Sequence, residues 1–94
     1  MATYLMFGKY SHGAIEGISA ERTDKATALI RKHGGEPKAG YALLGENDLL
    51  LIVDLPDTEQ AMKTSIALTK LLGISFTTLP AVTVEDFDKM MEGV

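Results

Sequence analysis

Five consecutive aliphatic residues, Leu49-Leu50-Leu51-Ile52-Val53, stand between the polar turn Gly45-Glu46-Asn47-Asp48 and Pro56. The run has the length of a buried strand and is short for a helix. Alternate side chains of a strand point to opposite faces, so Leu49, Leu51 and Val53 share one face and Leu50 and Ile52 the other. An antiparallel sheet with one wet face alternates apolar with polar, and this strand does not. The chain must therefore find cover for two faces.

The flanking segments supply the rest of a sheet. Thr3 to Phe7 reads as strand one, with Leu5 and Phe7 opposing Tyr4 and Met6 and Gly8 following. Ser19 is suited to cap a helix from Ala20 to His33, because Ala26, Leu29, Ile30 and His33 fall at i, i+3, i+4 and i+7, and Gly34-Gly35 ends it. Ile15 and Ile18 give an extra helical turn weakened by Gly13 and Gly17. Lys38 to Leu44 and Leu49 to Leu55 read as strands two and three, joined as an antiparallel hairpin. Asp57 heads a second helix with Gln60 placed for a capping box; its apolar stripe is Ala61, Ser65, Leu68 and Leu72, flanked by Met62 and Leu71, and Gly73 stops it. Strand four spans Ile74 to Val82. Thr83 and Asp86 cap a short C-terminal helix presenting Phe87, Met90 and Met91.

The order βαββαβ with a trailing helix predicts an α+β fold, a ferredoxin-like sandwich. Right-handed crossovers set the strand order 4-1-3-2, and Pro80 agrees, since a proline in a strand belongs at a sheet edge. Two main helices cover one sheet face. The other keeps one of the two aliphatic sets of strand three together with one side of strand one, and burying each such side chain is worth about 1.5–3 kcal/mol. The expected cover is a second copy, giving a homodimer or higher oligomer through the sheet face, with the sheets paired as a dimeric α/β barrel. The alternative is the C-terminal helix folded back with Phe87, Met90 and Met91, which leaves a monomer.

Ninety-four residues suit a single domain, 1–94, which buries only part of its surface alone. The formal charge is −4 and the nine Lys and Arg residues form no basic run, which argues against nucleic acid. No apolar run approaches the ~20 residues of a membrane span. The N-terminus reads as a first strand without a signal-peptide n-region, and no cysteine is present, so a cytoplasmic location is expected.

In a 4-1-3-2 sheet, Tyr10 and His12 share a rim with Glu46, Asn47 and Asp48. A histidine beside a carboxylate can act as a general base, which makes His12, Tyr10 and Asp48 the catalytic candidates; an ordinary polar rim is the alternative. His33 reads as a capping or half-buried histidine at the opposite end of the sheet. No metal site is expected, there being no His-x-x-His pair. Phosphate-binding and nucleophile-elbow glycine motifs are absent, and no cofactor is called for. Tyr4, Met6, Tyr41, Met62 and Phe76 are the candidates to line a ligand cavity between sheet and helices, or else are simply core.

MATYLMFGKY, KHGGEPKAGYALLG, LLLIVDLPD and ISFTTLPAVTVEDFDKM together run nearly end to end. Through them the chain resembles the GYD family, small bacterial and archaeal proteins of the dimeric α/β-barrel, ferredoxin-like group. The family's Leu-Gly-x-Tyr-Asp element reads here Leu44-Gly45-Glu46-Asn47-Asp48, so Gly45 and Asp48 match and Asn47 replaces the tyrosine. Gly45 and Asn47 suit turn positions of positive φ, and Asp48 can accept N–H bonds within its own turn. The resemblance implies no established reaction. In that group cavities hold small hydrophobic molecules or haem. The expectation is a non-enzymatic module binding a small apolar ligand or a protein; the alternative is a cofactor-free monooxygenase or isomerase.

Overall fold

The computed structural model describes all 94 residues, Met1–Val94. The chain runs β1 (Ala2–Tyr10), α1 (His12–Glu16), α2 (Ala20–Lys32), β2 (Glu36–Ala42), β3 (Leu49–Leu55), α3 (Thr58–Leu72), β4 (Ile74–Ala81) and α4 (Val84–Met90). One antiparallel sheet has the order β2-β3-β1-β4, with the aliphatic strand β3 and the mixed strand β1 at its centre. The ferredoxin-like topology and the edge position of Pro80 follow the sequence expectation.

The helices begin and end where local chemistry dictates. Ser11, Ser19, Asp57 and Thr83 each accept a hydrogen bond from a first-turn amide, satisfying donors that the helix cannot. Gly34 and Gly73, at φ +80° and +69°, end α2 and α3 in the left-handed conformation that glycine takes without strain. Half of the expected capping box forms. Asp57 accepts from the Gln60 amide at 2.9 Å, but the Gln60 side-chain oxygen lies 3.3 Å from His33 Nδ1, tying the end of α2 to the start of α3. His33 is thus the C-cap residue of α2.

Tyr4 and Met6 of β1 and Val53 and Leu55 of β3 face the helices and are buried against Ile30 of α2 and Ala61 and Leu68 of α3. Gly8 continues that face, where Ile74 and Phe76 crowd the position a side chain would take. On the far side Leu5 pairs with Ile52 and Leu79, and Phe7 with Leu50 and Thr77. These side chains share a face that no helix covers.

Several expectations need correction. The sheet is open and does not close into a barrel: β2 and β4 are its two unpaired edges, and four strands are half the roughly eight that the smallest closed barrels use. The dimeric α/β-barrel description therefore does not hold for this chain. β1 extends to Tyr10, because Gly8, Lys9 and Tyr10 find partners in Phe76, Ser75 and Ile74. β2 starts and ends two residues before the expected span, and a bulge between Pro37 and Ala39 leaves Lys38 unpaired. The extra residue reverses the alternation beyond it. Tyr41 consequently pairs with Leu50 on the open face and is 56% exposed, away from the helices. Asn47 does not adopt positive φ, and the hairpin relies on Gly45 at φ +148°. The turn around Ile15 is a formed helix, α1, secured by Ser11 and by the Arg22 guanidinium donating to the Ala14 carbonyl oxygen. The C-terminal helix does not fold back: every residue from Val82 to Val94 is exposed.

Candidate functional site

A groove of about 280 Å³ opens between the outer side of α3 and the edge strand β4. Its position follows from two periodicities. Thr58, Ala61, Met62 and Ser65 recur on one side of α3, while Phe76, Thr78 and Pro80 alternate along β4 toward the helices. Tyr4 lies under both, opposite Pro80. The walls are apolar, from Ala61, Met62, Ile66, Phe76 and Pro80, and the polar atoms form two hydroxyl pairs. Tyr4 Oη stands 3.5 Å from Thr58 Oγ1, and Ser65 Oγ lies 2.6 Å from Thr78 Oγ1. Ser65 Oγ also donates to the Ala61 carbonyl oxygen at 2.9 Å, which leaves Thr78 to donate to Ser65.

Of the residues expected to bind a ligand, Tyr4, Met62 and Phe76 meet in this groove. Met6 is fully buried in the core, and Tyr41 is on the opposite sheet face. Thr58, Ser65 and Thr78 were not anticipated as groove residues. Ser65 was legible as part of the α3 stripe, but its meeting with Thr78 depends on strand register.

At the far rim, Asp48 Oδ2 accepts the Tyr10 backbone amide at 2.9 Å. The Asp48 amide donates to the Gly8 carbonyl at 2.8 Å, and its carbonyl accepts the Leu43 amide at 2.9 Å. The Asp48 side chain thus fastens the β2–β3 hairpin to β1 rather than accepting from its own turn, while the Asp48 backbone carbonyl closes that turn. The Tyr10 ring lies under the Arg22 guanidinium, 5.3 Å from its centroid. His12 is exposed at the start of α1. The structure joins Tyr10 to Asp48 through the main chain, and His12 shares the rim without a hydrogen bond to either.

The open sheet face has an apolar centre of Leu5, Phe7, Leu50, Ile52 and Leu79 with Tyr41 beside it. Polar groups bound it at both ends. Thr3 Oγ1 donates to Asp54 Oδ1 at 2.7 Å and Lys38 Nζ lies 3.4 Å from Asp54 Oδ2; Lys9 and Ser75 occupy the other end. The Thr3 hydrogen bond, with help from Lys38, holds the Asp54 carboxyl below the ordinary carboxylate value. No group of three or more His, Cys, Asp or Glu side chains could hold a metal ion, and no helix is long and apolar enough to cross a membrane.

Comparison with solved structures finds the leucine response regulatory protein of Mycobacterium tuberculosis at a TM-score of 0.58 and 10% identity, over 87% of this chain and 51% of that one. A second structure, of a glutamate-to-alanine mutant, gives a TM-score of 0.58 and 12% identity, over 87% and 50%. The chain spans about half the length of these structures, and at such identities the likeness is one of fold. No curated protein matches. Residues 4–91 match the model of the GYD domain.

Proposed function

The chain belongs to the GYD domain family, and from that premise we propose that it is a self-associating, non-catalytic binding module whose α3–β4 groove takes a small apolar molecule bearing one hydroxyl or carbonyl group. The groove carries the proposal. Its apolar walls would desolvate a hydrocarbon body; Thr78, whose proton goes to Ser65, would accept from a ligand hydroxyl, and the rotatable Tyr4–Thr58 pair would donate to a carbonyl. At about 280 Å³ the space suits a molecule below drug size. A distant likeness of fold to a regulatory protein supports a binding role over a catalytic one. Asp48, the carboxylate among the catalytic candidates, is occupied by the Tyr10 amide in a structural role.

Self-association is proposed through the open sheet face, whose apolar centre and polar border have the anatomy of an interface. Titrating the protein with 4-ethylphenol and following backbone amide resonances tests the groove. Saturable shifts are expected at Tyr4, Thr58, Ser65 and Thr78. Thr78→Leu should weaken binding by about tenfold, the worth of one hydrogen bond. Absence of saturable shifts, or their location at Leu5 and Ile52, would overturn the reading.

A further inference from the structure

α4 is an amphipathic helix without a partner. Val84, Phe87 and Met91 recur at i, i+3 and i+7, and with Met90 they are 40–76% exposed. Four carboxylates, Glu85, Asp86, Asp88 and Glu92, accompany them against one cation, Lys89, which Glu85 already engages at 3.4 Å. The helix is therefore apolar and acidic. Elsewhere on the molecule lies its complement. Met62 and Ile66, one turn apart on α3, are 66% and 60% exposed, and Lys63, Ala67 and Lys70 complete a shallow ledge around them. Lys70 takes part in none of the ion pairs, and Lys63 meets only Glu59, its own helical neighbour, at 3.5 Å.

We propose that the Met62–Ile66 ledge of α3 receives α4 of a second copy, with the apolar stripe of α4 on Met62 and Ile66 and its carboxylates toward Lys63 and Lys70. Apolar stripe meets apolar ledge and acidic flank meets basic flank, which sets both contact and orientation. Delivery in trans follows from where α4 stands. Every residue from Val82 to Val94 is exposed, so α4, capped by Thr83 through the Asp86 amide, does not seat on its own α3. A seat in cis would need Val82 to redirect the helix, whereas a second copy can take α4 as it is folded. Met62 and Ile66 are also walls of the α3–β4 groove, so a visiting α4 would add a wall to the open side of that groove. The inference rests on the proposed self-association, though not on the identity of any ligand.

The chain has no cysteine, which permits a direct test. Full-length Met62→Cys carrying one tag is mixed with full-length Met90→Cys carrying another, under mild oxidation. The expected product is a disulfide between the two differently tagged chains. Lys63→Glu with Lys70→Glu should lower its yield by about fivefold, and Asp86→Lys with Asp88→Lys should restore it. A chain carrying both cysteines that closes only on itself would overturn the proposal, because α4 would then seat in cis. Preferential pairing of Met90→Cys with Leu50→Cys would overturn it in favour of the sheet face, and absence of any mixed disulfide would also overturn it. Light scattering on the unmodified chain separates the two levels. A dimer without the Met62–Met90 bridge refutes the helix placement alone, whereas a monomer refutes self-association itself.

Discussion

Gly35 lies buried where the chain leaves α2 and enters β2, and a Cβ built there would stand 2.5 Å from Leu55 Cδ2 and 2.9 Å from the Asp54 carbonyl oxygen. The leucine tip can turn aside, but the carbonyl belongs to the central strand β3 and cannot move without disturbing the ladder. Gly8 is crowded too, with Ile74 Cγ2 and Phe76 Cε1 at 2.9 Å, yet both are side-chain atoms that can shift. Gly35→Ala should therefore cost about 1–3 kcal/mol, and Gly8→Ala less. Urea midpoints measured on the two variants check this, and equal losses would contradict the distinction between backbone and side-chain crowding. Neither value reflects glycine's conformational freedom, since neither residue has positive φ.

Thr3, Asp54 and Lys38 belong to β1, β3 and β2, so one carboxylate ties three strands together at one end of the sheet. Its folded pKa lies below the unfolded value of about 3.9, chiefly through the Thr3 hydroxyl and then Lys38, while its partial burial acts in the opposite direction. The sign follows by linkage. The carboxylate's contribution is fully present above the unfolded pKa and is lost as pH falls through the folded one. Thr3→Val should return the Asp54 titration toward the ordinary range and flatten the loss of stability as pH falls through and below the usual carboxylate range. A carbon-detected titration of Asp54, with urea midpoints across that range, checks it; an unchanged titration would contradict the assignment. Elements of this kind were legible to different degrees. Helix ends were readable because Ser19, Asp57, Thr83, Gly34 and Gly73 act through local geometry. The face of Tyr41 was not, because it depends on whether Lys38 is accommodated by a bulge, which the alternation itself does not reveal. The meeting of Ser65 with Thr78 likewise depends on pairing in space. The two-sided character of the β3 run was legible as well, because it lies in the alternation itself: Leu51 and Val53 face the helices and Leu50 and Ile52 the side that no helix covers.

The molecule measures 51 × 30 × 18 Å, a slab with helices on one side and the apolar centre of the sheet on the other. If that surface meets a second copy, replacing its central Ile52 by a charge should separate the pair. Ile52→Asp is expected to halve the mass seen by light scattering to that of the 10.1 kDa chain and to abolish any dependence of Tm on protein concentration. Full retention of the parent mass would contradict the proposed association. The outer strands impose a further restriction. Pro37 stands in β2 and Pro80 in β4, so each flank of the sheet includes a residue with no amide hydrogen to offer an arriving strand. Sideways accretion into filaments is thereby opposed at both borders, and crowding many copies together favours closed, countable clusters over runaway fibres.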